Sequence, residues 1–443
     1  MTAPPESAAL RAKRRLCVRV TADAAFPSSA DGQDVLRVTL VGSTDDDSWG
    51  HESGTLGRAH GLIERFGETI EAERISVVVV PGLEGASDDD ERAAIRAAVS
   101  AASVTGIDVA LGDAEPRPAA EVQRDLTAAS RARSADDART VTAVLSAWNK
   151  RDDVRANLLG LRAQTRPFDD VVVVDNHSSD GTPQMIRDEF PEVRLVVMPN
   201  SDYGACETFN VGFSTALTDF VAILDDDVVL TPCWLERTLA RMADEPDTTA
   251  VVSTKVVEPG MPDSFRDSEA INRERYMSTF RGCASLARKS ALDEAGGYDE
   301  RLFIYGNERD LTCRLLNLGY RVLQFPGAET YHRTPFGVQM GKRSLYYHAR
   351  NAWLGMLKYA PASDLARMPF LVVTKVLLRG RSSEEAGEVS DAVGTIGIGK
   401  SIRETKGSWW ILTRAALSVL YNVPYCLKRR QPVRAPDFEL PLQ

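Results

Sequence analysis

Cysteine is sparse in this 443-residue chain, and none of it is paired in sequence: Cys17, Cys206, Cys233, Cys283, Cys313 and Cys426 are scattered, with no C-x-x-C among them. That excludes a zinc knuckle or a disulfide framework and predicts reduced thiols in a cytoplasmic protein. Positive charge is in deficit, with 53 Lys and Arg against 63 Asp and Glu and a formal charge of −10. No nucleic-acid partner is therefore expected, because phosphate contacts need a basic surface. A leader is not evident either: the basic residues at Arg11 to Arg15 precede no apolar stretch of signal-peptide length, which argues against secretion. Long hydrophobic runs are rare. The best, "WWILTRAALSVLYNVPYCLKRR" over 409–430, holds Arg414, Asn422 and Pro424 and makes a poor membrane span.

What the chain does contain is 43% hydrophobic and 26% charged residues, ordinary globular values at a length that suits two to three domains. Residues 1–137 read as a small accessory α/β domain with a polar linker. "VLRVTLVG" and "ISVVVV" are strand-like there, whereas Leu56, Ala59, Leu62, Ile63, Phe66 and Ile70 recur at helical spacing. From Val141 a regular alternation begins: "VTAVLSAW", "DVVVVDNHSSDGT", "VRLVVMPN" and "FVAILDDD" are strands separated by helical stretches. Repeated βαβ units of this kind predict a mostly parallel sheet over 138–345. Residues 346–443 read as a helical C-terminal region.

Acidic triplets occur at Asp45 to Asp47, Asp88 to Asp90 and Asp225 to Asp227. The first suits a solvated turn and the second a helix N-terminus. The third lies at the carboxyl end of a buried parallel strand, where open α/β sheets place ligands. Carboxylates crowded there repel one another, which a divalent cation with oxygen ligands would relieve. A loop whose acids cap helix ends or pair with Arg237 or Arg241 is the alternative.

In order and spacing, "VTAVLSAWNKRDD", "VVVVDNHSSDGT", "ILDDDV" and "GGYDERLFIYGNERDLTCRL" resemble the nucleotide-sugar-dependent glycosyltransferases of family 2, with the GT-A fold. The stretch from Leu302 through "YYHARN" is similar to bacterial rhamnosyl- and galactofuranosyltransferases. The resemblance covers residues 139 to 352. It implies a metal-dependent inverting transfer of a sugar from a UDP- or dTDP-sugar to an acceptor hydroxyl in cell-surface glycan assembly, on a carbohydrate or lipid-linked acceptor. Residue by residue it implies that Ala147, Trp148, Asn149 and Asp175 hold the nucleotide, and that Asp225 and Asp226 meet the donor. Asp225, Asp227 and His332 would ligate Mn²⁺ or Mg²⁺. Gly282 and Cys283 would admit the acceptor, Arg350 would reach the diphosphate, and Glu308 would be the base, with Asn307 beside it.

Family members usually carry two adjacent acids where this chain has Asn307 and Glu308. Losing a neighbouring carboxylate removes a repulsion that would raise the base's pKa. The residues alone also allow Asn307 to cap the helix, with Glu308 and Asp310 in its first turn and Asp310 pairing with Arg314. Two other activities compete: a non-catalytic sugar-nucleotide-binding scaffold, and a pyrophosphorylase, whose Gly-rich basic loop "LSAWNKRDD" does not supply. For the N-terminal domain a role in acceptor binding or homo-oligomerisation is expected. For 409–430 two readings stand: a packing helix, or an interfacial helix bringing Lys428, Arg429 and Arg430 to anionic lipid at the inner face of the plasma membrane.

Overall fold

In a computed structural model of the chain, residues 15–19, 35–39, 77–80, 95–96, 98–99, 102–103, 107–112, 114–133, 139–336, 341–371 and 405–438 are described. The apolar repeat at 56–70 and the acidic triplets at 45–47 and 88–90 lie outside the described residues. The chain divides into two compact units. One comprises Met1–Ala138, Leu158–Pro167 and Thr231–Leu235, the other Arg139–Asn157, Phe168–Leu230 and Glu236–Gln443.

In the first unit, β1 (Arg15–Arg19), β2 (Val35–Thr39), β3 (Val77–Val80), β4 (Asp108–Leu111) and β5 (Arg117–Pro118) form a sheet ordered β2-β1-β3-β4-β5. All its pairings are parallel except β4 with β5. The four valines of β3 are buried throughout, as a parallel strand covered on both faces requires. The helix Ala119–Arg133 buries Ala119, Val122 and Leu126 at helical spacing, and its Gln123 Nε2 donates to the Arg162 carbonyl at 3.1 Å.

The second unit is built on nine strands: β6 (Val141–Ala147), β7 (Asp170–Asp175), β8 (Arg194–Val197), β9 (Phe220–Asp225), β10 (Val228–Leu230), β11 (Thr249–Val257), β12 (Arg275–Tyr276), β13 (Ala284–Arg288) and β14 (Arg321–His332). Their order is β10-β14-β11-β13-β9-β6-β7-β8, with β12 pairing β14. β8, β7, β6, β9, β11 and β14 run one way, and β13, β10 and β12 run the other. The sheet is therefore mixed and mostly parallel. Val144, Val174 and Ile223 on its face meet Phe209 and Phe213 of the helix Ala205–Thr215 in one buried cluster, the one-sided burial that βαβ units produce.

After β14 come the helices Lys342–Tyr359, Ala362–Leu371 and Ser408–Lys428. The last buries Ser408, Ile411, Ala415, Asn422 and Cys426 along one stripe. Arg430 closes the C-terminal end of Lys342–Tyr359, donating to the carbonyls of Leu357 and Ala360 at 2.6 and 2.7 Å. Beyond it, Asp437 accepts from Arg321 Nε and Nη2 at 2.7 and 2.8 Å, a two-pronged bond onto the first residue of β14.

Candidate active site

Strand register brings the candidate site residues to one edge. Ala147 of β6 lies beside Asp175 of β7, and Ser146 beside Asp225 of β9. The chain then turns through Asp226 and Asp227 into β10, whose Val228 pairs with His332 at the end of β14. That antiparallel pairing delivers His332 to the triplet: its Nε2 is 3.1 Å from Asp227 Oδ1. One ligand atom from each of Asp225, Asp227 and His332 falls within 4.8 Å of the others. On the far side of the ring, Nδ1 faces Glu258 Oε1 at 2.8 Å, the carboxylate support that orients a metal-ligating imidazole.

Among the described residues the acids pair with neither Arg237 nor Arg241; Arg241 is engaged by Glu245 and Glu274. Lys150 takes that place, its Nζ 2.6 Å from Asp227 Oδ2 and 3.2 Å from Asp226 Oδ1. Thr334 Oγ1 donates to the same Asp227 oxygen at 2.8 Å. Burial and the neighbouring Asp227 raise the Asp225 carboxyl, and burial pushes Asp226 up to about 7 against the pull of Lys150. Burial acts on Asp227 in the same sense, yet the His332 hydrogen bond and Lys150 hold it well below the usual carboxylate range. His332 rises to about 10, its burial outweighed by hydrogen bonds to Asp227 and Glu258. Two carboxylates, an imidazole and a supporting Glu258 form a donor set that suits a divalent cation.

The loops after β6 and β7 are tied together. Asn149 N donates to Ser178 Oγ and Asn149 Oδ1 accepts from Ser179 N, each at 2.8 Å. Asp180 accepts from Arg151 N at 2.9 Å and from Thr182 N at 3.0 Å, so it joins the turn to the start of the helix Arg151–Arg162. Asp175 is fully buried. Its Oδ1 accepts from Ser178 N at 2.8 Å, while Oδ2 has no protein partner. Trp148 is 45% exposed and donates its backbone N–H to Asp226 Oδ2 at 3.3 Å.

Glu308 lies in the first turn of the helix Asn307–Asn317. Asn307 does not cap this helix. Gly306, at φ 72°, occupies the N-cap, and Asn307 Nδ2 donates to Glu308 Oε1 at 2.7 Å. The pKa of Glu308 also departs from expectation. Burial, with Asp225 adding repulsion, lifts Glu308 to about 7, so desolvation supplies what the missing neighbouring acid would have. Gly282 serves Glu308: a Cβ there would sit 2.2 Å from Glu308 Oε1. Cys283 accepts the Asp225 backbone N–H at 3.3 Å through its carbonyl, and its thiol is raised by burial. Asp310 pairs with Arg314 at 3.1 Å, as its spacing predicts, and also with the buried Lys358.

Arg350 is a correction. It was expected to reach the diphosphate but is buried, its Nε donating to Ser418 Oγ at 3.0 Å and its Nη1 to Asn351 Oδ1 at 2.7 Å; helix packing engages both of these donors. Lys150, Glu258 and Thr334 are not singled out by the sequence, and Asn351 only as the last residue of "YYHARN". Of the other three, Lys150 alone carried a signal, as a cation directly after Trp148 and Asn149.

The family description "Glycosyl transferase family 2" matches residues 142–298. An N-acetylglucosaminyl-diphospho-decaprenol L-rhamnosyltransferase of Mycobacterium tuberculosis is 25% identical over 270 residues, which are 49% of this chain and 88% of that protein. A pre-mycofactocin glycosyltransferase of the same species is 28% identical over 47% of this chain and 46% of its own length. Among solved structures, the mannosyltransferase PcManGT of Pyrobaculum calidifontis, in complex with GDP-Man and Mn²⁺, aligns over 69% of this chain and 86% of its own at 18% identity and a TM-score of 0.38. With the matched segment spanning β6 to β13 and the carboxylates they carry, the chain is a glycosyltransferase whose residues 142–298 form a glycosyl transferase family 2 domain.

Proposed function

We propose that this protein is a metal-dependent, inverting transferase that moves a sugar from a nucleoside diphosphate onto an acceptor hydroxyl. The convergence of Asp225, Asp227 and His332 within 4.8 Å carries this reading. Those three residues would hold Mn²⁺ or Mg²⁺. When bound, the cation neutralises charge on the leaving diphosphate. The buried Asp175 Oδ2, lacking a protein donor, suits an N–H or hydroxyl of the nucleotide. Lys150 offers positive charge at the same edge. Glu308 accepts the proton of the acceptor hydroxyl as its oxygen bonds to the anomeric carbon. The bond from that carbon to the diphosphate breaks at the same time, and the electron pair leaves with the diphosphate. Direct displacement inverts the anomeric centre, and no second carboxylate is assigned as nucleophile.

We read the donor as a UDP- or dTDP-sugar of the rhamnosyl or galactofuranosyl kind and the acceptor as lipid-linked, supported by the rhamnosyltransferase relative's name. On this reading residues 138–345 carry the chemistry and residues 1–137 serve acceptor binding or assembly. No helix among the described residues is long and apolar enough to cross a membrane. The helix Ser408–Lys428 has no acidic residue, and opposite its buried stripe it exposes Trp409, Trp410, Leu417, Leu420, Tyr421 and Leu427. Lys428 and Arg429 stand exposed at its end. In a chain of charge −10, this apolar and basic face suits an anionic bilayer surface at a cytoplasmic membrane.

A panel of nucleotide sugars in thermal-shift assays with Mn²⁺ tests the donor, because a bound ligand raises the melting temperature. The expected result is a shift for one nucleotide class that disappears in Asp227→Asn. A donor shift that survives Asp227→Asn and chelator would overturn the metal reading. Flotation with phosphatidylglycerol vesicles tests the membrane face, with binding expected for wild type and lost in Trp409→Ser/Trp410→Ser.

A further inference from the structure

The turn ahead of Glu308 has an unfavourable backbone. Phe303 has φ 69° and ψ −58°, and Ile304 N donates to Leu302 O at 2.8 Å. That is a γ-turn of the positive-φ form, a strained geometry. Tyr305 follows at φ 67° and Gly306 at φ 72°, so three of the four residues from 303 to 306 lie in left-handed space, two of them with side chains.

One helix holds this turn from the side. Along Lys342–Tyr359, the Tyr347 ring stacks on Phe303 with centroids 5.2 Å apart, and the His348 ring stacks on Tyr305 at 4.4 Å. One turn on, the two N–H groups of Asn351 Nδ2 are shared among three carbonyls, those of Leu302, Ile304 and Tyr305, at 3.0, 2.9 and 2.8 Å. Asn351 is 4% exposed, so few waters can replace its amide. Arg350 Nη1 holds the Asn351 oxygen at 2.7 Å, fixing which end of the amide faces the turn. From the opposite side Phe303 O accepts from Cys206 N at 3.1 Å, over Gly204, where a Cβ would come within 2.3 Å of that oxygen.

We propose that Asn351, oriented by Arg350, is a positioning residue for the proton-accepting carboxylate: it clamps the strained 303–306 turn so that the helix beginning at Asn307 presents Glu308 beside Gly282. This rests on Glu308 being the base. Strained backbone persists only where its surroundings over-determine it, and here those surroundings are the stacked rings, the Cys206 N–H on Phe303 O and a single side-chain amide. The "YYHARN" segment then acts on proton transfer through the turn rather than by touching the diphosphate.

Full-length Asn351→Ala and Arg350→Met separate the possibilities, read by hydrogen exchange across 302–308 and by kcat and donor KM. The expected result is faster exchange in that segment, a kcat reduced at least about tenfold and a donor KM within about twofold. Adding Tyr305→Gly to Asn351→Ala should restore part of the lost kcat, since glycine accepts positive φ without strain. Unchanged exchange and kcat in both single variants would overturn the proposal, and so would a loss of kcat that Tyr305→Gly leaves untouched. If Asn351→Ala does not fold, Arg350→Met, which keeps the amide but frees its orientation, decides alone. Should Glu308→Gln keep full activity while Asn351→Ala speeds exchange at 302–308, the base assignment fails and the clamp stands.

Discussion

Asn149, His177, Phe303 and Tyr305 are the non-glycine residues with positive φ among those described, and each sits in a loop next to the site. Such conformations cost about 1–3 kcal/mol apiece, so their clustering marks where packing holds the backbone against its preference. Glu308 carries a comparable electrostatic burden. Its folded pKa of about 7 lies above its ordinary value, so the ionised form is disfavoured in the native state. That cost is absent below the ordinary glutamate pKa and complete once the pH exceeds about 7. Glu308→Gln should therefore melt higher than wild type at pH 8 and converge with it near pH 4, while losing roughly 10²–10⁴-fold in kcat; calorimetry and initial rates check both. In wild type, kcat/KM should rise with pH through about 7 as the carboxyl ionises.

His332 gives a second pH dependence. Its imidazole, raised to about 10, must shed a proton to become a ligand, so a bound cation competes with that proton. Mn²⁺ affinity should increase by about tenfold per pH unit across neutrality, with proton release visible in calorimetry in buffers of different ionisation enthalpy. Individual roles were only partly legible in the sequence. Asp225, Asp227 and His332 stood out through spacing and resemblance, whereas Glu258 is one glutamate among many until the β11–β14 pairing, with Val257 opposite Tyr331, brings the imidazole to it.

Among the elements, the parallel strands β6, β7 and β9 were readable because strands buried on both faces are near-continuous apolar runs. β14 was not. Pro326 and Gly327 interrupt its pattern, and the structure absorbs them as an irregularity: Thr254 of β11 pairs with Phe325 but Lys255 with Glu329. β1 was obscured in the same way by Arg15 and Arg19. The segment 409–430 was offered as either a packing or an interfacial helix, and its buried stripe and exposed aromatic face show why periodicity could not choose. The approach of Gly282 to Glu308 is testable at this scale. Gly282→Ala would place a methyl 2.2 Å from Glu308 Oε1, forcing the carboxylate aside. A loss of roughly a hundredfold in kcat is expected, with nucleotide affinity by calorimetry unchanged.

For the whole molecule, charge and length bounded the class of protein but did not show how the chain is apportioned. Leu158–Pro167 and Thr231–Leu235 fall in the same compact unit as Met1–Ala138, a partition no composition shift announces because those segments are ordinary helix and turn. Removing residues 1–137 would strip them of partners, including the Gln123 bond to the Arg162 carbonyl. The truncated protein should melt lower and lose its defined size in gel filtration. A truncation with wild-type melting, assembly and activity would refute any need for the N-terminal part.

A twelve-residue strand, β14, runs from Arg321 to His332, with Asp437 latched to its first residue and the imidazole on its last. Proteolytic trimming ahead of Asp437 would unlatch one end of a rod whose other end is a ligand, so preparations nicked near their C-terminus should bind manganese poorly while every ligand residue remains intact.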